Sequence, residues 1–290
     1  MLKYNNSPLW KSILKSELFT NFNILTFKND GANNKIAQYN PKTHSILFLK
    51  NILFKMALEI PFKYFKLLNK IKNRDLGGGI NIKYKNINCD LDYLLAINEF
   101  IFLEDLLKET NTILEIGAGY GRTCNTILSL TDNIKEYTIV DLPEMLILSQ
   151  IYLKNVLTKE LFKKIKFIPV NELKNMKVDL IINIDSMQEM HENVVLEYMK
   201  YININTKKFY CNNTVGKFSP ELCGWEKSEN SNMALSSGVL KNIINIFCPV
   251  ELLKSQKQFM INFLPTKNWI TLKHSATMPW SHYYQAIFST

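Results

Sequence analysis

The chain of 290 residues has the length and composition of a globular protein with one large domain or two of ordinary size. Hydrophobic residues make up 47% of it and charged residues 21%, which excludes a disordered, collagen-like or low-complexity chain. The net charge of +9 comes from lysines spread along the chain, and Arg74 and Arg122 are the only arginines. Because proteins that read nucleic acids depend on the planar guanidinium group, we expect no nucleic-acid partner.

The cysteines and the N-terminus favour a cytoplasmic location. The five cysteines are odd in number and no pair has the spacing of a zinc site, so we expect neither a disulfide framework nor structural zinc. Residues 1–10 lack the basic and then apolar order of a secretory signal. The sequence also contains no uninterrupted apolar stretch that would form a transmembrane segment.

Residues 1–110 are predicted to form a mainly helical region that acts as a cap or in dimerisation. Its most apolar part, residues 46–68, is interrupted by polar residues at steps of three and four, which predicts one long amphipathic helix. We expect this helix to pack on the main domain or on a second subunit, giving a homodimer. Binding to a membrane surface is the alternative. A further helix is predicted at residues 90–108.

From residue 112 onward, short apolar runs alternate with segments of helical length, which is typical of βαβ units. The predicted helices are 120–130, 143–155, 192–202 and 233–247. The predicted strands are 112–116, 136–140, 166–170, 178–184, 207–211, 250–254 and 282–288. These elements predict a doubly wound α/β domain over residues 111–290.

The segment from Glu115 to Gly121 carries the strongest functional signal. A predicted strand runs into Gly117, Gly119 and Gly121 and then into a helix, and glycine lets the backbone turn sharply and approach a ligand closely. The start of the helix offers free N–H groups to a carboxylate or phosphate. Asp141 ends the next predicted strand, where a carboxylate can accept hydrogen bonds from ribose hydroxyls. The two features predict a cofactor that contains a nucleoside.

The spacing of the glycines separates the possible cofactors. A nicotinamide fingerprint requires glycine where this chain has Arg122. The pattern Glu-x-Gly-x-Gly-x-Gly instead resembles the first motif of class I S-adenosylmethionine-dependent methyltransferases. The resemblance implies a Rossmann-like sheet, mostly parallel with an antiparallel last strand, and S-adenosyl-L-methionine as the cofactor. It also implies that Glu115 orients the loop or reaches the amine of the cofactor. The cofactor-binding residues it implies are Glu115, Gly117, Ala118, Gly119, Gly121, Asp141, Leu142 and Asn183.

Two further segments indicate the class of substrate. Asp-Leu-Pro-Glu at residues 141–144 and Asn-Ile-Asp-Ser-Met-Gln-Glu-Met at residues 183–190 are similar to the bacterial family of sugar O-methyltransferases. The similarity covers mainly residues 112–214. It implies transfer of a methyl group to a sugar hydroxyl, in a surface glycan or in nucleotide-sugar metabolism, with a small-molecule or glycan sugar as the acceptor.

Methyl transfer to a hydroxyl is an in-line displacement that needs a base to take the hydroxyl proton. The loop after the predicted strand 178–184 holds three candidates. His191 has an ordinary pKa near neutrality, with capping of the next helix as its alternative role. Glu189 could act as the base or bind the first-turn amides of that helix. Asp185 could be the base, a metal ligand or a cofactor contact.

A magnesium site at this loop would need a second carboxylate. Asn212 and Asn213 end the next predicted strand, and a site with one carboxylate would bind the cation weakly, so we expect no metal. Two alternatives stay open. One is a methyltransferase that acts on RNA or on another small molecule. The other is a non-catalytic membrane-surface or assembly protein that has this fold.

Overall fold

The computed structural model describes residues 41–224 and 228–290, so the part of the N-terminal prediction that concerns residues 1–40 lies outside it. The chain divides into two compact units, Met1–Lys55 and Met56–Thr290. Residues 56–110 therefore belong to the same unit as the sheet. The functional division at residue 110, with a cap or dimerisation role for the preceding residues, stays a prediction.

The single long helix predicted over residues 46–68 is wrong. The structure has α1 over Pro41–Glu59, α2 over Phe62–Phe65 and a 3-10 helix over Lys66–Lys70. Pro61 separates α1 from α2 because proline has no N–H to donate and its ring clashes with the carbonyl four residues earlier. No helix in the described part of the chain is long and apolar enough to cross a membrane.

A β-hairpin that the sequence analysis missed precedes the helix predicted at residues 90–108. Its strands are β1, Asn81–Tyr84, and β2, Ile87–Asp90, and the helix is α3, Leu91–Lys108. Lys85 and Asn86 join the strands with φ of 45° and 65°. Both central residues of a tight hairpin turn adopt such positive φ values when the turn matches the twist of the strands.

The α/β part of the chain follows the predicted alternation of strands and helices. Its strands are β3 Thr112–Ile116, β4 Glu136–Asp141, β5 Ile165–Pro169, β6 Leu180–Ile184, β7 Lys208–Thr214, β8 Ile270–Ala276 and β9 Tyr283–Ser289. Its helices are α4 Arg122–Leu130, α5 Pro143–Val156, α6 Lys159–Phe162, α7 Glu192–Asn205, α8 Glu229–Ser236 and α9 Pro249–Asn262, with 3-10 turns at Val170–Glu172 and Pro220–Cys223.

The seven strands form one sheet in the order β5-β4-β3-β6-β7-β9-β8. Neighbours from β5 to β7 are parallel, whereas β9 runs antiparallel between β7 and β8. The predicted Rossmann-like sheet with an antiparallel last strand is therefore confirmed. The chain moves outward from β3 to β5 and then returns to place β6 on the other side of β3. Ligands of doubly wound sheets bind at such a switch point, beyond the carboxyl ends of the strands.

Two elements near the C-terminus differ from the prediction. The helix predicted at residues 233–247 ends at Ser236, and Gly238 follows with φ of +74°. The strand predicted at 250–254 belongs to α9, which Pro249 begins at the first helical position, where the missing N–H has no cost. The edge strand β8 was not predicted because its residues are mostly exposed and polar.

Both faces of the sheet are covered. Alternate residues of a strand point to opposite faces. Leu114 of β3 accordingly joins a core with Val195 of α7 and Phe259 of α9. Ile113 joins a second core with residues of α3, α4 and α5, among them Ile127. The two layers hold the carboxyl edge of the sheet in place.

Candidate functional site

The loop between β3 and α4 turns through its three glycines. Gly117, Gly119 and Gly121 have φ of +71°, +57° and +95°, which lie in the left-handed region that glycine adopts without strain. Gly117 donates its N–H to the carbonyl of Val140 (2.8 Å), and Gly121 donates to that of Ala118 (3.0 Å). The first bond ties the loop to β4, and the second closes the loop on itself.

The three glycines differ in what a side chain would meet. A Cβ at Gly117 would lie 2.3 Å from Oγ of Ser186, and one at Gly121 would lie 2.7 Å from Cδ1 of Leu153. A Cβ at Gly119 would meet nothing within 4 Å. Gly117 and Gly121 are therefore required by the packing of the protein itself. Gly119 borders open space that a ligand could occupy.

Asp141, at the end of β4, is bound to this loop. Its Oδ2 accepts the N–H of Gly119 (3.0 Å) and its Oδ1 accepts the N–H of Leu142 (2.8 Å). Burial raises the pKa of Asp141, whereas hydrogen bonds from Leu142, Gly119 and Ala118 lower it less. A carboxylate oxygen has more than one acceptor position. Asp141 can thus hold the loop and still accept hydrogen bonds from a ligand, and Leu142 beside it is 55% exposed.

Glu115 lies inside the protein, beneath the loop. It is 1% exposed, and its Oε2 accepts a hydrogen bond from the Tyr137 hydroxyl (2.8 Å). The side chain of Thr123, in the first turn of α4, also lowers the pKa of the carboxyl, by less than desolvation raises it. Both roles predicted for Glu115 stay predictions, and its burial and its hydrogen bond with Tyr137 favour orientation of the loop.

Asn183 uses its whole amide within the protein. Its Nδ2 donates to the carbonyl of Ile116 (2.9 Å) and to Oγ of Ser186 (2.5 Å). Its Oδ1 accepts from Nδ2 of Asn213 (2.8 Å) and from the N–H of Met187 (3.4 Å). The side chain is fully buried and joins the ends of β3, β6 and β7, and a role for Asn183 in cofactor binding stays a prediction.

Asp185 begins the loop after β6 in an unusual backbone conformation. Its φ is +59°, a left-handed value that costs a non-glycine residue about 1 kcal/mol or more and is often found at functional sites. Its Oδ1 accepts from the Tyr283 hydroxyl (2.6 Å) and from Nε2 of Gln188. Neighbouring protein atoms desolvate the carboxyl and raise the pKa of Asp185, which makes it a better proton acceptor.

The other two predicted base candidates lie further along the same loop. Glu189 is exposed, and its pKa is raised by desolvation and by Asp185, against the opposing effect of Lys217. His191 is the N-cap of α7, and its Nδ1 accepts the N–H of Asn193 (3.3 Å). The structure thus gives His191 the capping role that was its alternative.

A buried ion pair that the sequence analysis did not single out adjoins the glycine loop. Arg122, the first residue of α4, donates from Nη2 to Oε1 of Glu99 (2.9 Å) and from Nη1 to the carbonyl of Asp92 (2.9 Å). Glu99 lies on α3 and is 5% exposed. The sequence held two hints of this ion pair. Arg122, one of only two arginines, directly follows the glycines, and Glu99 interrupts an apolar run.

The expectation of a metal-free site stays a prediction. Within residues 41–224 and 228–290, no group of three or more His, Cys, Asp or Glu side chains could hold a metal ion. Asn213, considered as a neutral ligand beside Asp185, is fully buried and donates to Asn183 and to Cys211.

Comparisons with known proteins support the fold. No protein-family model and no curated protein matches the sequence. Among solved structures, the chain is similar to the methyltransferase domain of bacterial CtHen1-CN, with 12% identity, a TM-score of 0.50 and coverage of 67% of this chain and 97% of that one. The corresponding CtHen1-C domain matches with 11% identity, a TM-score of 0.46 and coverage of 67% and 95%. The mitomycin 7-O-methyltransferase MmcR matches with 10% identity, a TM-score of 0.42 and coverage of 68% and 57%.

Identities this low describe architecture and not activity. The order of the strands, the antiparallel β9 and the helices on both faces agree with the likeness to the CtHen1-CN domain. The chain has a Rossmann-like methyltransferase fold.

Substitution of each glycine by alanine should show which of the three the packing of the protein requires. Gly117→Ala and Gly121→Ala should each destabilise the free protein by roughly 2–4 kcal/mol, because the new Cβ collides with a neighbour and the left-handed backbone is strained. Gly119→Ala should cost about 1 kcal/mol, from the backbone alone. Urea unfolding of the three variants measures the difference, and equal losses would contradict the assignment.

Burial of Glu115 should make stability depend on pH. Desolvation raises the pKa of Glu115 from 4.5 to about 7, so the folded protein binds a proton more tightly than the unfolded chain. The free energy of unfolding should therefore fall as pH rises from about 4.5 to 7, by up to about 3 kcal/mol from this group. Glu115→Gln should remove that part of the pH dependence. The exposed Glu109→Gln is the control, and a similar pH profile for wild type and Glu115→Gln would refute the effect.

Proposed function

We propose that the protein is an S-adenosyl-L-methionine-dependent methyltransferase that transfers a methyl group to a hydroxyl. The observation that carries the proposal is the open space beside Gly119, bordered by Asp141, at the switch point of a sheet with a methyltransferase fold. A glycine loop, a helix start and an acidic residue at adjacent strand ends supply the contacts that an amino acid joined to a nucleoside requires.

The residues present fit such a cofactor. The first turn of α4 has N–H groups without partners inside the helix, which suit the carboxylate of the methionine end. Asp141 has acceptor positions beyond its two backbone contacts, which suit ribose hydroxyls. Leu142, next to Asp141, is exposed and could contact the adenine of the cofactor. When bound, the cofactor supplies a methyl group on a positively charged sulfur.

Asp185 is the proposed base. The acceptor oxygen forms a bond to the methyl carbon while the carbon–sulfur bond breaks, the sulfur keeps the electron pair, and the hydroxyl proton passes to the carboxylate. Both side-chain contacts of Asp185 fall on Oδ1, which leaves Oδ2 without a hydrogen bond to the described residues. The raised pKa favours proton uptake. Glu189 is close enough to influence Asp185 electrostatically and is the second choice, ahead of the capping residue His191.

A sugar hydroxyl is the proposed acceptor, in surface-glycan or nucleotide-sugar metabolism in the cytoplasm. The support for it is the likeness of residues 141–144 and 183–190 to sugar O-methyltransferases, together with the carboxylate at Asp185. A homodimer formed through the N-terminal region is part of the same proposal.

Arginine at Gly119 should abolish cofactor binding. Its side chain would enter the open space beside the loop, so titration calorimetry should show at least a 100-fold weaker affinity for S-adenosylmethionine than in wild type. Gly78→Arg is the matched control, because Gly78 also has positive φ (+72°) and open space around it but lies far along the chain from the loop. Equal binding by wild type and Gly119→Arg, or binding by neither, would refute the proposed function.

Removal of the Asp185 carboxylate should slow turnover without loss of the cofactor. Asp185→Asn should lower kcat by about 100-fold or more, within the range for general base catalysis, with an unchanged Kd for S-adenosylmethionine. Transfer of tritium from labelled S-adenosylmethionine to a panel of sugars measures turnover, and calorimetry measures the Kd. His191→Ala should keep its turnover. Full activity of Asp185→Asn would show that another group takes the proton.

A further inference from the structure

The net positive charge of the chain is concentrated in one segment. Residues 46–85 contain nine Lys or Arg and two Asp or Glu, which amounts to +7 of the net charge of +9. The other 250 residues contain 26 basic and 24 acidic side chains and are nearly neutral. Lysines occur along the whole chain, but in this segment acidic residues do not balance them.

The lysines of this segment are exposed and have no carboxylate partner. All eight face solvent, and none forms an ion pair with a residue of the ranges 41–224 and 228–290. By contrast, Lys108, Lys200 and Lys241 each lie 2.6–2.7 Å from a carboxylate oxygen. The ammonium groups of the segment are therefore available to an anionic partner.

Large apolar side chains are exposed among these lysines. In the unit Met1–Lys55, Leu47 and Phe54 are each 43% exposed, and their separation of seven residues places them on one side of α1. In the unit Met56–Thr290, Leu58 is 46% exposed and Phe62 is 42% exposed. Exposed apolar groups that adjoin one another mark surfaces that contact a protein or a membrane.

Phe62 lies between two of the lysines. The Nζ atoms of Lys85 and Lys66 are 4.4 and 5.4 Å from the centroid of its ring. Lys63 follows Phe62 on α2, and Leu58 is exposed four residues before it, at the end of α1. The basic apolar surface consists of five residues of the unit Met56–Thr290, namely Leu58, Phe62, Lys63, Lys66 and Lys85.

This combination of side chains complements an anionic lipid surface. Phenylalanine and leucine enter the boundary between the headgroups and the acyl chains of a bilayer, while the flexible stems of lysines keep the ammonium groups at the level of the phosphates. Anionic lipids attract such lysines, and salt weakens the attraction. Both halves of the basic apolar surface would thus find their partners in one structure.

Charge disfavours two other occupants of the surface. A second copy of the chain would place two segments of net charge +7 against each other. The homodimer proposed above would then form through other residues of the N-terminal region. A nucleic acid would accept the charge, but eight of the nine basic residues are lysines and not arginines, and phosphates would leave the apolar side chains uncovered.

We propose that the basic apolar surface binds the protein reversibly to the surface of an anionic phospholipid bilayer. Leu58 and Phe62 enter the headgroup boundary, and Lys63, Lys66 and Lys85 contact lipid phosphates. The inference goes beyond the proposed function and does not depend on it, because none of these residues belongs to the glycine loop or to the loop of Asp185.

The test is flotation of the full chain with lipid vesicles. Wild type should float with phosphatidylcholine vesicles that contain about 30% phosphatidylglycerol and not with phosphatidylcholine alone. Its affinity for the anionic vesicles should fall when NaCl rises from about 0.1 to about 0.5 M. Combined Lys63→Glu, Lys66→Glu and Lys85→Glu should weaken binding about 100-fold or more. Combined Leu58→Ser and Phe62→Ser should weaken it about 10-fold.

Matched variants near the C-terminus separate this surface from net charge and general hydrophobicity. Lys254→Glu, Lys257→Glu and Lys267→Glu together change the net charge of the chain equally and also lie at exposed positions. Val250→Ser and Leu253→Ser together replace apolar side chains that are 75% and 60% exposed. Both control variants should keep vesicle affinity within about threefold of wild type, because their residues lie outside the basic apolar surface. Thermal unfolding followed by circular dichroism checks that all four variants fold.

Several results would overturn the inference. Wild type that floats with neither vesicle, or equally with both, has no surface selective for anionic lipid. Equal affinities of the lysine variant and its control would place the contact elsewhere. A wild-type dimer that Leu58→Ser and Phe62→Ser convert to a monomer, measured by sedimentation velocity, would assign the surface to a second copy. Binding of single-stranded RNA without binding of vesicles would assign it to nucleic acid. The affinity for S-adenosylmethionine is measured separately, so the proposed function can fail without this inference and the inference without it.

Discussion

The hydrogen bonds that Asp141 accepts from Gly119 and Leu142 fix the geometry on which the candidate site depends. They attach the glycine loop of one strand to the end of the next, and the carboxylate is buried enough for its pKa to rise. The loop consequently keeps its left-handed turns at the switch point of the sheet. Only Gly119 borders open space in this loop, because Gly117 packs against Ser186 and Gly121 packs against Leu153.

Two further networks support the loop from behind. Asn183 joins the ends of β3, β6 and β7 through one amide, and its contact with Ser186 places that side chain against Gly117. Arg122 ties the start of α4 to Glu99 on α3. Buried charges and amides of this kind are strongly unfavourable when one partner is removed, so they hold the strand ends in a single arrangement. The space beside Gly119 lies on the loop that these networks support.

The local pattern of apolar and polar residues was sufficient to predict most strands of the sheet. The apolar run at residues 112–116 predicted β3 with its observed bounds, and the proline at Pro143 marked the start of α5. The local pattern was insufficient where tertiary contacts decide whether a segment forms a helix or a strand. Residues 250–254 have the apolar character of a strand but belong to the helix that Pro249 begins. The exposed, polar β8 forms a strand because it pairs with the free edge of β9. Pro61 likewise interrupts a periodicity that by itself predicts one helix.

The sequence alone determined the architecture and the position of the glycine loop, since the alternation of strands and helices and the positions of glycine are properties of short segments. Only the tertiary structure decided the roles of individual side chains. It placed Glu115 in the interior, paired the Asn183 amide with backbone and side-chain groups inside the protein and used His191 to cap α7. It also paired Arg122 with Glu99, residues 23 positions apart whose ion pair no local pattern reveals. The physical reason is that a hydrogen bond depends on distance and burial in the folded chain, and neither is encoded in the spacing of residues along it.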